Sequence, residues 1–103
     1  MEKINKLIAS DKLEQALEIV NEEISNPKNI ETDRYHELLF AKARIYIIKY
    51  INTKPVDNKL YIQAKEDFAT ADNVYMALHS KHHPNYDSAT KAADKIYVDL
   101  NRK

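Results

Sequence analysis

Apolar side chains recur every three or four residues through most of this chain, which is the spacing of one face of an α-helix. Capping residues or prolines interrupt the pattern and end each helix. The interruptions lie at Ser10-Asp11, Asn26-Pro27, Asn52-Thr53-Lys54-Pro55 and His83-Pro84. The pattern therefore predicts five helices and no strand. They span about residues 2–9, 11–25, 33–52, 57–81 and 85–101.

The third predicted helix has apolar residues around nearly its whole circumference, whereas the second keeps them on one face. A helix that is apolar on every side is contacted on several sides, so we expect the third helix at the centre of the domain. The first two helices are joined by a very short turn at Ser10-Asp11, which predicts an antiparallel hairpin. Ser10 and Asp11 are also good capping residues for the second helix.

The chain contains no glycine, although average usage of about 7% predicts several in 103 residues. Hairpin turns and phosphate-binding loops rely on glycine because it adopts positive φ at little cost. The composition therefore favours an all-α protein and excludes the common glycine-dependent nucleotide and hydrolase motifs. Cysteine is absent as well, which excludes disulfides and thiolate chemistry.

Length and charge limit the function classes further. A chain of 103 residues forms one domain, and sixteen basic residues balance sixteen acidic ones. This neutral balance argues against a nucleic-acid or membrane surface. The N-terminus lacks the apolar region of a signal peptide, and the longest apolar stretch, residues 45–48, is too short to cross a bilayer. We expect a soluble, cytoplasmic protein.

The fourth predicted helix carries small and aromatic residues in the order Tyr61, Ala64, Phe68, Ala71. This order resembles the second helix of a tetratricopeptide repeat, and residues 11–17 resemble the start of the same helix in an earlier copy. From Tyr61 onward the chain is similar to the longer repeat of kinesin light chains. In that repeat a His-Pro like His83-Pro84 stands at the junction, and the next helix ends in an aromatic residue like Tyr97.

The resemblance implies five antiparallel helices in a short, right-handed superhelical stack. Tetratricopeptide proteins generally bind peptides or partner proteins in a concave groove lined by the first helix of each pair. By resemblance, helices one, three and five would face that groove here. The expected partner is therefore a protein or peptide, and no cofactor is expected.

Five side chains are candidates for partner binding. Tyr35, Tyr50 and Tyr86 are poorly explained by the apolar faces, and aromatic side chains are favoured contact anchors. Lys42 and Lys49 lie two turns apart on the third helix and could hold an acidic peptide or a C-terminal carboxylate. The alternative for the two lysines is a solvated stripe on an otherwise buried helix.

Three histidines, His79, His82 and His83, form a cluster with helical spacing that could converge on a metal ion. No carboxylate partner is fixed by the sequence, and the helix ends there. The simpler interpretation is structural, because polar side chains at a helix C-terminus bind free carbonyl groups and complement the helix dipole. We therefore expect no metal site, with these three residues as the weak candidates.

No arrangement of residues indicates catalysis. The carboxylates lie on helical polar faces, and the serines occur at turns or helix starts, where capping explains them. The preferred hypothesis is a small scaffold, an adaptor or assembly module, that binds a protein or peptide in a groove. The first alternative is a structural helical domain that self-associates as a homodimer. Histidine-mediated metal binding is a more distant alternative.

Overall fold

Each of the five apolar segments forms an α-helix in the computed structural model, which describes residues 2–29, 33–52 and 58–101. No strand occurs within these ranges, so the all-α prediction is confirmed. Each helix begins and ends within two residues of its predicted bounds. The helices are α1 (Glu2–Ala9), α2 (Leu13–Ile24), α3 (Asp33–Asn52), α4 (Asn58–His79) and α5 (Tyr86–Asn101), with a 3₁₀ turn at Pro27–Asn29 after α2.

Without glycine, the chain uses Asp11 and Ser80 for the left-handed positions that end α1 and α4, with φ of 61° and 59°. After α1, the Asp11 and Lys12 amides bond to the carbonyls of Ile8 and Leu7, which is the Schellman arrangement. The expected side-chain cap on α2 is therefore wrong. Its N-cap is Lys12, with no side-chain capping bond, because Asp11 already ends the preceding helix.

The core consists of two clusters that share α3. The first, which we call the aliphatic cluster, joins α1 and α2 to α3, and the second, the aromatic cluster, joins α3 to α4 and α5. Because α3 contributes buried residues to both, the prediction that it is contacted on several sides is confirmed. The aliphatic cluster contains Ile4, Ile8, Ala16, Val20, Leu38, Ala41 and Ile45. The aromatic cluster contains Ala43, Ile47, Tyr50, Tyr61, Ala64, Phe68 and Ala93.

Helices that follow one another in the chain contact each other, α1 also contacts α3, and the α3–α4 contact is the most extensive. Ala43 on α3 and Ala64 on α4 are completely buried, and such small side chains let two helices approach closely. At one end of this helix pair the first residue of α3, Asp33, bonds to the last residue of α4, His79. Near the other end the rings of Tyr50 and Tyr61 lie 5.9 Å apart.

The surface of the described ranges is largely polar. Four large apolar side chains are exposed, at Ile51, Ile62, Leu78 and Val98. Scattered residues of this kind are normal on a globular surface. None of the helices in the described part of the chain combines the length and the apolar character that a membrane crossing requires.

Candidate functional site

A cavity of about 550 Å³ lies among α1, α3 and α5, and Phe68 of α4 also contributes to its lining. We call it the α1–α3–α5 cavity. Its volume falls within the range of about 300–1,000 Å³ that is usual for ligand sites. α5 presents only alanines to it, so this helix leaves the space unfilled. The apolar lining comes from Phe40, Ala41, Ile47, Ile48, Phe68, Ala89, Ala92 and Ala93.

The polar residues of the cavity are few and include one permanent positive charge. Arg44 and Glu37 both lie on α3, and Asn5 faces them from α1. Arg44 and Glu37 are exposed, and neither forms an ion pair with any other described residue. They are seven positions apart, which places them about 10 Å apart along the helix axis. The cavity therefore offers an unpaired cation and an unpaired anion on either side of apolar side chains.

The loop after α4 supplies a further part of the lining through His83. The His83 ring lies 4.5 Å from the Phe40 ring and 4.7 Å from the Tyr75 ring, measured between centroids. Its backbone N–H donates to Asp72 Oδ1 at 2.8 Å, and the other carboxylate oxygen of Asp72 pairs with His82. Because Asp72 is buried on α4, its carboxylate fixes the loop against the helix.

His83 is a neutral side chain at neutral pH. Burial lowers its pKa below the ordinary value of 6.5, although the Asp72 carboxylate acts in the opposite direction. The backbone N–H of Asn85 donates to His83 Nδ1 at 3.0 Å, so the ring proton of the neutral form is on Nε2. Arg44 is consequently the positive charge that this part of the cavity offers to a ligand.

A second group of polar side chains lies at the end of the α3–α4 pair. Asp33, His36 and His79 each place one potential ligand atom within 4.8 Å of the other two. His79 Nε2 lies 2.8 Å from Asp33 Oδ1, and His36 Nε2 lies 3.9 Å from the same oxygen. Burial lowers the pKa of His36 below 6.5, with His83 acting in the same direction, so this ring is also neutral at neutral pH.

The three histidines predicted as weak metal candidates are directed to different neighbours. His79 bonds to Asp33, His82 bonds to Asp72, and the His83 ring packs among aromatic side chains. Of the three, only His79 belongs to a group of potential metal ligands within the described ranges. The other two members of this group are Asp33 and His36, not His82 and His83.

The three candidate tyrosines lie outside the cavity lining. Tyr50 is completely buried, because its ring packs against Tyr61 in the aromatic cluster. Tyr86 is half-buried and stacks on the His82 ring, with 5.8 Å between centroids. Tyr35 is half-buried near the start of α3. The structure therefore places none of the three in the lining of the α1–α3–α5 cavity.

The two candidate lysines also lie away from the cavity and have partners of their own. The Lys42 ammonium lies 3.9 Å from Asp67 and 6.0 Å from the centroid of the Tyr46 ring. Lys49 pairs with Glu14 of α2 at 2.6 Å. They are tied to neighbouring helices, so the exposed α3 cation beside the cavity is Arg44.

A carboxylate with a raised pKa lies between α3 and α4, outside the cavity lining. Burial raises the pKa of Asp67 above its ordinary value of 3.8, although Lys42 and a hydrogen bond from Gln63 act in the opposite direction. Asp67 Oδ2 is buried and has no hydrogen-bond partner in the part of the chain that the structure describes. A buried oxygen without a hydrogen-bond partner is a cost to stability.

A separate polar network joins α4 to α5. The Tyr61 hydroxyl donates to Asp94 Oδ1 at 2.6 Å, and Lys65 pairs with the same oxygen at 3.0 Å. These two hydrogen bonds lower the pKa of Asp94, and the bond to Asp94 raises the pKa of Lys65. Desolvation, followed by the bond to Asp94, raises the pKa of Tyr61. Because Asp94 is exposed to solvent in part, the network's evident role is to hold α5 against α4.

Comparison with known proteins gives no further assignment. A scan against models of protein families, a search of curated proteins and a search of solved structures each found no match. Any assignment of function to this chain therefore depends on its own residues and on their geometry.

Sequence reasoning missed Arg44, Asp72 and His36. The sequence features that could have identified them differ in strength. Arg44 interrupts the apolar run of α3, so it could have been weighed beside Lys42 and Lys49. His36 follows Asp33 by three positions, a spacing that brings two side chains together on a helix. Asp72 carries no comparable signal, because its partners lie in the loop after α4.

Proposed function

We propose that this chain is a short tetratricopeptide-like module that binds a segment of another protein in the α1–α3–α5 cavity. The observation that carries the proposal is the position of the cavity, since α1, α3 and α5 are the helices that the family resemblance assigns to the groove. In this proposal the five helices form successive antiparallel hairpins of a right-handed superhelical stack. The Asp33–His79 and Tyr50–Tyr61 contacts at the two ends of the α3–α4 pair support that arrangement.

The lining indicates what kind of segment would fit. Its apolar side chains, including Phe40 and Ile47, suit one or two large apolar anchors of a partner. Arg44 suits an acidic side chain, since a guanidinium binds a carboxylate with two parallel hydrogen bonds. Glu37 suits a basic side chain about 10 Å away, which is the length of about three residues of extended chain. The preferred ligand is therefore a peptide with two residues, at least one of them apolar, between an acidic and a basic one.

The test is selection of binding peptides from a random displayed library, followed by affinity measurement with labelled synthetic peptides. We expect the selected peptides to share an apolar residue flanked by opposite charges. Arg44→Glu should weaken binding at least about tenfold, because it replaces an attraction by a repulsion. Lys91→Glu is the matched control, since Lys91 is an exposed cation on α5 outside the cavity lining. We expect the control to change affinity less than about twofold.

A second pair of variants tests the cavity itself. Ala92 is exposed and lines the cavity, so Ala92→Phe should fill the space without disturbing the buried core. Ala77→Phe is the control, because Ala77 is an exposed alanine of α4 that does not line the cavity. Loss of peptide binding in the first variant alone would support the proposal. If both variants bind as tightly as the parent chain, the cavity is not the binding site.

Self-association is the alternative function, and the exposed apolar residues Ile62 and Val98 are the candidates for its interface. An oligomer that uses them would bury both side chains. Light scattering at several protein concentrations separates the two hypotheses, because a scaffold of this kind is a monomer without its peptide. A concentration-dependent dimer that is lost in an Ile62→Lys, Val98→Lys double variant would favour the alternative.

A further inference from the structure

We propose that Asp33, His36 and His79 form a binding site for a divalent transition-metal ion, with Zn²⁺ as the preferred ion. The site joins the first turn of α3 to the last turn of α4. One potential ligand atom from each residue lies within 4.8 Å of the other two. Both imidazoles direct Nε2 toward the same carboxylate oxygen of Asp33, at 2.8 Å for His79 and 3.9 Å for His36. The three side chains thus converge on one small volume.

Burial of His36 determines which of its ring nitrogens can bind the ion. His36 is only 4% exposed, and its Nδ1 is buried with no hydrogen-bond partner among the described residues. Its Nε2 is too far from Asp33 for a hydrogen bond. A buried polar ring without a good hydrogen bond carries a desolvation cost. A cation bound at Nε2 would place the ring proton on Nδ1, so the affinity of the site includes the cost of this buried N–H without an acceptor.

The donor set determines the class of ion. Two imidazole nitrogens and one carboxylate oxygen are typical of zinc sites that use three protein ligands and keep a fourth position for water. Calcium and magnesium prefer oxygen ligands throughout, so they are excluded as the preferred ions. Ligand atoms around tetrahedral zinc lie about 3.3 Å apart, given metal–ligand distances near 2.0–2.1 Å. Zinc binding therefore requires the His36–Asp33 distance to shorten and the His79–Asp33 distance to lengthen slightly.

The exposure of two of the ligands makes this adjustment feasible. The Asp33 side chain is 69% exposed and the His79 side chain 36% exposed, so both can move toward the ring of His36. His36 is held in place by ring contacts, with the Tyr75 ring centroid 4.9 Å away. The His36 ring is therefore rigid, whereas the side chains of Asp33 and His79 can adjust their positions. Bound zinc would link two residues that are 46 positions apart in sequence, and it would therefore stabilise the end of the α3–α4 pair.

The experiment is zinc titration of the purified chain, with affinity measured by calorimetry and stability by thermal unfolding. We expect one zinc ion per chain and a rise in Tm of about 5 °C or more at saturation, because a ligand that binds only the folded state stabilises it. Mg²⁺ at the same concentration should produce no rise. Co²⁺ should bind at the same stoichiometry and give the intense visible absorption of a tetrahedral centre.

Two variants locate the site without touching the buried ring. Asp33→Asn removes the charged ligand, and His79→Phe keeps an aromatic ring against Tyr75 while removing the imidazole. Each should weaken zinc binding at least about 100-fold. His82→Phe is the matched control, since His82 is an exposed histidine of the same segment that pairs with Asp72 instead. Each zinc-induced change in Tm is compared with that variant's own Tm without metal.

The outcomes separate the proposed site from adventitious binding. Loss of the Tm rise and of the cobalt absorption in Asp33→Asn and His79→Phe, with both retained in His82→Phe, supports the proposal. Zinc binding that is the same in all three variants overturns it, because such binding arises from scattered surface histidines. The absence of one-to-one binding by the parent chain also overturns it. None of these outcomes depends on peptide binding in the α1–α3–α5 cavity.

Discussion

The aliphatic and aromatic clusters share α3 but differ in chemistry. The aliphatic cluster is built from isoleucine, leucine, valine and alanine side chains. The α3–α4 side of the molecule instead contains the buried polar residues His36, Asp67 and Asp72 beside its aromatic rings. Aliphatic packing contributes stability by burial alone, whereas a buried ionisable group costs stability unless it is well paired. The α3–α4 side therefore contains buried polar groups that reduce the stability of the fold. Both proposed sites include residues of this side.

The largest expected effect tests the aliphatic side of this comparison. Leu38 is completely buried in the aliphatic cluster, so Leu38→Ala removes packed side-chain atoms and leaves a cavity. We expect the free energy of unfolding to fall by about 3 kcal/mol, measured by urea denaturation. Leu78→Ala is the matched control, because Leu78 is 38% exposed, and it should cost less than about 1 kcal/mol. Equal losses would mean that the aliphatic cluster is not well packed.

A somewhat smaller effect is expected from a polar residue on the other side. Asp72→Ala leaves the backbone N–H of His83 without its acceptor, which should reduce the free energy of unfolding by about 2 kcal/mol. Asp72→Asn keeps one acceptor oxygen and should lose about half as much. Asp99→Ala, at an exposed position of α5, is the control and should change stability by less than about 0.5 kcal/mol. Faster hydrogen exchange at the His83 amide would locate the effect.

The smallest effect concerns pH. Burial raises the pKa of Asp67 above 3.8, so the folded state binds a proton more tightly than the unfolded state does. The stabilising contribution of this protonation is therefore complete below pH 3.8, and it is lost as the pH rises through the raised pKa of the folded state. Asp67→Asn removes this titration. We expect the stability of the parent chain relative to this variant to decline as the pH rises through that window, as measured by urea denaturation.

Asp94 provides the control of opposite sign. Hydrogen bonds from Tyr61 and Lys65 lower the pKa of Asp94 below 3.8. Its contribution to stability is present above pH 3.8 and is lost as the pH falls through the lowered pKa of the folded state. The stability of the parent chain relative to Asp94→Asn should therefore rise with pH, over a lower pH range. If the stability of the parent chain relative to the two variants changed in the same direction with pH, one assignment would be wrong. The assignments place Asp67 at a desolvated site and Asp94 at a hydrogen-bonded site.

The sequence predicts the helices of this protein well because helix periodicity is a local property. The apolar circumference of α3 likewise predicted its contacts on several sides. The same circumference gives no indication of which side chains face which neighbour, so Tyr50 was expected at a binding surface although it packs against Tyr61. Capping failed at Ser10-Asp11 for a related reason, since one short turn ends one helix and starts another.

Residues that meet only through the fold could not be predicted in the same way. The sequence groups His79 with His82 and His83, whereas the neighbours of His79 in space are Asp33 and His36. Arg44 carries no binding prediction from the sequence, because the hydrophobic pattern alone does not show that a space remains between α3 and α5. Both the metal-ligand group and the cavity beside Arg44 depend on how two helices are placed relative to each other.

The position of α3 in both clusters has a consequence for how the molecule unfolds. Both clusters use α3 as one wall, so the loss of α3 disrupts the two clusters together. Unfolding should be a single cooperative transition, even in an array of helices whose ends could otherwise fray independently. The slowest amide exchange should then lie in the middle of α3, and a truncation that removes α5 should lower the stability of α1 and α2 as well.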